Sequence, residues 1–322
     1  MAALTLTEAQ KLSLNDLQPG IVESLVTRSP VLEKLPFVSF TGDNFEINRE
    51  LTRGSATWNA PDAELNSEAS TFTNVTFAIK YMYRLIDVPH PIQVGLSRSV
   101  DQAQVQMSEA MLAVRDEFLD AYYYGLNSSN SNVPNGLHQA IDNITIPTGV
   151  TRPVVNRASG ATEGTLRIVD MDNIMFTLMK RGVDLMTMHS VIFRLLQTAA
   201  RSTSVTGTIQ YTLNELGKPM PAYNGVPIGI DDALRITELS ASNVYSAATG
   251  GSGASIFFHR YGDMFEHGLQ QTAGPVVDGP FELHNKDSVR MRIKWYVVPA
   301  ILRSVYACGK IDGIDDTAAI TA

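Results

Sequence analysis

The chain has 322 residues, 44% of them hydrophobic and only 18% charged, with a formal net charge of -8. That apolar content supplies one large or two ordinary cores and excludes a disordered chain, and the acidic balance excludes a protein that grips phosphates with a broad basic face. The charged fraction lies below the globular norm of about 25%, which points to surface that assembly will cover.

Residues 1–36 read as an arm. Thr5 and Glu8 have capping-box spacing ahead of a short helix over 6–14, and Pro19 and Ser29-Pro30 mark two further helix starts. Leu25, Val26, Leu32 and Leu35 are too scattered to form a core of their own, so the segment is expected to lie across something else.

Between Phe37 and Ser70 the period changes. Phe45, Ile47 and Leu51 alternate with Glu46, Asn48 and Glu50, a strand with one polar face. A polar stretch containing Trp58, Asp62, Glu64 and Glu68 follows, and then Val75, Phe77, Ile79, Tyr81, Tyr83 and Leu85 alternate with Thr76, Ala78, Lys80, Met82 and Arg84 in a second, unusually long strand. Two long strands with a polar tip predict a projecting hairpin, which needs support from another chain.

Ser99 caps the next element. Val100, Ala103, Met107, Ala110, Met111, Val114, Phe118, Ala121 and Tyr122 keep three-and-four spacing, and a helix over 100–126 would be roughly 40 Å long, a spine for the molecule. The turn-rich run 127–136 ends it. Further helices are expected at 171–182 and 189–202, a turn into a buried strand at YNGVPIGI, and a loop at Gly250, Gly251 and Gly253. Late in the chain Val289, Met291, Ile293, Trp295 and Val297 alternate with Arg290, Arg292 and Lys294, a strand with one apolar and one basic face.

No constellation of acid, base and nucleophile appears. The six histidines lack chelating spacing, and no nucleophile elbow or phosphate loop is present, so neither catalytic, cofactor-binding nor metal-binding residues are expected. The single cysteine, Cys308, reads as a small buried hydrophobe in an apolar strand of a chain made in a reducing compartment. No apolar run approaches the roughly 18 residues of a membrane span, and the start of the chain lacks the pattern of a signal peptide.

The order of elements (arm, hairpin, spine helix, mixed domain, late strand) resembles the Hong Kong 97 type, α+β fold of tailed-bacteriophage major capsid proteins. Local phrases are similar to those of the family: LNELGKPMPAYNGVPIGIDD at Leu213–Asp232, ASIFFHRYGDMFEHGLQ at Ala254–Gln270, RIKWYVVPAI at Arg292–Ile301 and VPNGLHQAI at Val133–Ile141. The resemblance implies an N-arm at 1–36, an E-loop hairpin at 37–88, a P-domain with its spine helix at 89–142, an A-domain at 143–275 and a return to the P-domain at 276–322. It also implies a non-enzymatic shell subunit of a virion, assembled in the bacterial host's cytoplasm as homo-hexamers and homo-pentamers. Portal, scaffolding and decoration proteins would be further partners, and double-stranded DNA would be enclosed without sequence-specific binding. Because the arm follows directly on Met1, scaffolding is expected to be a separate protein or absent. Some relatives crosslink through an E-loop lysine, but Lys80 lies well inside its strand and that chemistry is not carried over. An encapsulin-type nanocompartment shell is the alternative on the same fold. Inter-subunit contact is expected between the acidic hairpin (Glu46, Glu50, Asp62, Glu64 and Glu68, with Trp58) and the basic face of Arg290, Arg292 and Lys294.

Overall fold

The computed structural model describes residues 29–52, 54–56, 58–59, 61, 64, 68–89, 102–147, 149–158, 163–180, 182–201, 209–213, 219–238, 253–272, 274–284 and 286–321. The helices expected at 6–14 and after Pro19, the Ser99 cap, Asp62 and the Gly250-Gly251 pair lie outside them. At the end of the arm, helix α1 (Pro30–Lys34) begins with Ser29, whose Oγ accepts from Leu32 N, and with proline at its first position, where no N–H is needed. Val31 and Leu35 are buried in the main core, so this stretch is part of the body and not a loose anchor.

The main core forms where the spine helix α2 (Gln102–Tyr124) lies on a five-stranded sheet. The sheet consists of β1 (Phe37–Ser39), β4 (Lys80–Pro89), β11 (Glu266–Gln270), β12 (Val276–Glu282) and the 15-residue β13 (Ser288–Leu302). β13 is its axis, pairing antiparallel with β4, β11 and β12. Its inward residues Ile293, Trp295 and Val297 are the alternation read in the sequence, and they meet Met107, Ala110, Met111, Val114 and Phe118 of the helix. The Phe118 ring stacks on Trp295 at 4.8 Å, with Phe37 tilted against both. Burying each such side chain contributes about 1.5–3 kcal/mol, so this aromatic group fixes helix to sheet.

The helix ends at a close approach. Gly136 N donates to Gly125 O, and a Cβ on Gly136 would stand 2.6 Å from Gly125 N. The Asn-Gly-Leu turn therefore needs glycine, and α3 (Leu137–Asp142) starts from it.

A second sheet of seven strands carries its own core. It comprises β5 (Val154–Asn156), β6 (Leu185–Met188), β7 (Ile209–Leu213), β8 (Pro219–Tyr223), β9 (Val226–Ile230), β10 (Ala254–His259) and β14 (Cys308–Ile314), in the spatial order β5-β14-β10-β6-β9-β8-β7. Asn224 and Gly225, both at positive φ, make the tight turn between β8 and β9 that the Asn-Gly pair predicts. The helix expected at 171–182 is instead α4 (Ile168–Asp172) followed by a π-helical turn over Asn173–Leu178, and α5 (Ser190–Ala200) is capped by the His189 side chain.

Two strands pair outside the stretch of sequence in which they fall. β11 lies within 143–275 yet pairs into the five-stranded sheet, and β14 lies within 276–322 yet pairs into the seven-stranded one, with Cys308 buried at its start. Local pattern identifies a strand but not its neighbour, because pairing is a long-range property.

Candidate assembly surfaces

The projecting element is the antiparallel pair β2 (Asn44–Thr52) and β3 (Thr71–Ala78). Its root rests on the body through Ile47, Ile79, Leu269, Val298 and Ile301, with Phe45 and Phe77 packed against them. The long strand expected over Val75–Leu85 is two strands. It breaks at Ile79, so that β3 stays in the hairpin while β4 joins β13 in the body. Sheet register explains the change: beyond Ile79 the inward positions are Met82, Ile86 and Val88, and Tyr81, Tyr83 and Leu85 turn outward. A bulge between Glu50 and Thr52 likewise takes Leu51 out of the face of Phe45 and Ile47.

Toward the tip, Glu68 accepts from Ser55 N at 2.8 Å and Ser55 Oγ at 2.6 Å, bonds that hold its carboxyl below the usual range. Glu46 accepts from the Asn74 amide, Glu64 is exposed, Glu50 is half-buried, and Trp58 stands wholly in solvent. Phe72 on β3 is 66% exposed.

The basic residues share one face of β13, as their spacing predicts, but they are not bare. Arg290 makes a two-pronged bond to Asp87 on β4, while Arg292 and Lys294 reach Asp278 on β12 at 2.8 and 2.7 Å. Lys294 first, then Arg292, keeps the Asp278 carboxyl low, and Arg290 does the same for Asp87. Three cations thus meet two carboxylates within the chain. What this face adds is apolar: Tyr81, Tyr83 and Leu85 stand beside Tyr296, Lys294 and Arg292 in the β4–β13 register, and Tyr83 is 67% exposed. The sequence reading missed Asp87, Asp278 and these tyrosines as part of the patch. The signal was available, because Asp87 continues the phase of Tyr81, Tyr83 and Leu85 and comes to lie opposite Arg290. Lys80 donates to Ser131 O at 2.6 Å, beside a cleft of about 370 Å³ between β4 and α2.

The interior where the two sheets meet is polar and closed. Three consecutive tyrosines at the end of α2 each find a different carboxylate: Tyr122 bonds Glu266, Tyr123 bonds Asp231 at 3.1 Å, and Tyr124 bonds Glu238. His259 Nδ1 lies 3.0 Å from Glu266 and its Nε2 2.9 Å from Thr187 Oγ1, with Cys308 Sγ 3.9 Å from Nδ1. His259, Glu266 and Cys308 have the donor types of a metal site, as do Glu163, Asp315 and Asp316 near the end of the chain. In the first group each donor is already hydrogen-bonded and fully buried, and burial pushes the Cys308 thiol up, so it remains neutral. Such a network ties the spine helix to the second sheet. Among the described residues no helix is long and apolar enough to cross a membrane.

No protein-family model matches this chain, and no curated protein does. Solved structures share its fold. The holo-SrpI encapsulin complex from Synechococcus elongatus is similar over 91% of this chain and 89% of its own, with a TM-score of 0.64 at 14% identity. The capsid of cyanophage A-1(L) matches 89% of this chain and 93% of its own (TM-score 0.61, 12% identity), and the capsid of a native GTA particle 88% and 89% (0.59, 11%). The fold is the Hong Kong 97 type, and the match spans about nine-tenths of the chain.

Proposed function

We propose that this chain is the major shell protein of a tailed, double-stranded DNA bacteriophage, assembling as hexamers and pentamers into an icosahedral capsid. One observation carries the reading: a Hong Kong 97 type fold, matched nearly end to end by phage capsid structures, that leaves Trp58, Phe72, Tyr81 and Tyr83 exposed on a hairpin and a sheet face that a second copy can cover. The role is structural and non-catalytic. DNA is enclosed without sequence readout, because an acidic chain supplies no broad cationic face and weak repulsion leaves the genome free to exit. Portal, scaffolding and decoration proteins are the further partners of such a shell.

The likeness to an encapsulin supports a second reading, a nanocompartment that encloses protein cargo. Cryo-electron microscopy of the expressed full-length chain decides: closed shells of hexamers and pentamers are expected, and a chain that stays monomeric under all conditions removes both readings. Shells formed in a host that carries the neighbouring genes separate them by content, nucleic acid in one case and protein in the other.

A further inference from the structure

Under the root of the hairpin lies a cavity of about 790 Å³, walled by β2, by Ile144, Thr145, Pro147, Gly149 and Val150 after α3 and by the turn 303–306 after β13. Three cations from separate segments line it: Arg49, Lys180 and Arg303. Arg49 donates from one nitrogen to Leu302 O, and its ring-side neighbour is Phe77, with the guanidinium 6.0 Å from the centroid. Arg303 faces Phe45 at 5.5 Å, and the Lys180 ammonium sits over Tyr306 at 4.7 Å. Among the described residues none of the three meets a carboxylate, and the buried Nε of Arg49 and of Arg303 each lacks an acceptor.

No ion pair joins the three cations to an acid among the described residues. Glu46 and Glu50 border the cavity too, but alternation along β2 sends them to the face opposite Phe45, Ile47 and Arg49, where Glu46 accepts from Asn74. A guanidinium stays charged in proteins, and a charged donor withdrawn from water without an acceptor is costly. Burial also pulls the Arg49 pKa down, the mark of a cation lacking a counter-ion.

We infer that this cavity binds a doubly charged tetrahedral oxyanion, phosphate or sulfate, through Arg49 and Arg303 with Lys180 at the rim. A tetrahedral dianion offers four oxygens to donors converging from separate segments and balances two positive charges where a carboxylate balances one, and guanidinium groups suit such oxygens. Bound there, it would pin the hairpin root to the turn after β13, and the inference stands whether or not the chain forms shells.

The test is thermal unfolding of the full-length chain in sodium phosphate against sodium chloride at equal ionic strength. Phosphate at saturating concentration should raise the midpoint by about 2–4 °C. Arg303→Gln should lose most of that rise, and Lys180→Gln, whose exposed side chain makes it safe for folding, should need about 3–10 times more phosphate for the same rise. No rise in the wild-type chain, or an unchanged phosphate response in Lys180→Gln together with Arg303→Gln, overturns the assignment. Should Arg303→Gln fail to fold, the Lys180→Gln titration decides alone.

Discussion

Arg290 on β13 and Asp87 on β4 stand opposite each other in register and are joined by two parallel hydrogen bonds of 2.7 Å. The pair is exposed, so its attraction is screened by water and salt and it fixes orientation more than stability. The bond lowers the Asp87 pKa, so whatever stability it contributes is present above the ordinary aspartate value near 3.9 and is lost as pH falls through the lower folded value. Asp87→Asn should therefore shift the unfolding midpoint by less than about 2 °C at neutral pH, and the difference should vanish in strong acid. A scan of midpoint against pH for both chains checks this.

A stronger pH dependence is expected from His267. Burial and then the nearby Arg303 push its pKa down to about 4, against the opposing pull of Asp263 and the Gly262 backbone. The unfolded chain binds a proton there near pH 6.5 while the folded chain does not, so stability falls as pH drops from about 6.5 to about 4, by at most about 3 kcal/mol. His267→Leu should flatten that slope in chemical denaturation series run from pH 7 to pH 4. A slope unchanged in the variant would assign the acid sensitivity to other groups.

The tyrosines ending the spine helix make a graded prediction. Tyr122→Phe and Tyr124→Phe each withdraw a donor from a buried carboxylate, Glu266 or Glu238, and should destabilise by about 1–3 kcal/mol. Tyr124→Phe should cost most, since its hydroxyl also accepts from Arg235 N at 2.8 Å, and Tyr123→Phe should cost about as much as Tyr122→Phe, because each carboxylate keeps a second partner: His259 for Glu266, the Ala233 N–H for Asp231 and Ser255 for Glu238. Urea denaturation at fixed protein concentration ranks the three.

These elements show what pattern can and cannot reveal. The inward rows of β13 and α2 were legible because period 2 and period 3.6 are local, and so was the Asn-Gly turn at 224–225. The break at Ile79 was not: the alternation runs on unbroken, and only pairing with β13 reassigns the second half of the strand. The same holds for the acids that meet Arg290, Arg292 and Lys294, on two other strands and up to 203 residues away in sequence. The cavity cations Arg49, Lys180 and Arg303 carry no sequence motif, since folding alone brings them together.

The last prediction concerns how copies of the chain meet, and it rests on the proposed shell role. Because Asp87 and Asp278 already occupy the cations of β13, charge pairing with the acidic hairpin is expected to contribute less to such an interface than the exposed rings. Trp58→Ala on the hairpin and Tyr83→Ala on the sheet face should each leave the isolated chain's stability nearly unchanged, as both side chains stand in solvent. Each should raise the protein concentration needed for assembly about 30-fold, the equivalent of about 2 kcal/mol at one interface. If the two rings meet across subunits, the double variant will assemble no worse than either single variant; independent, additive losses would place the hairpin on another surface. The charge contribution is read separately. Glu64→Lys with Glu68→Lys should make assembly more salt-sensitive. Rescue by Arg290→Glu with Arg292→Glu requires Asp87→Lys in the same chain, because a carboxylate introduced at position 290 would otherwise repel Asp87 across the β4–β13 pair. Light scattering against salt, for the reversed chain with and without that triple change, tells whether the two charged faces are partners.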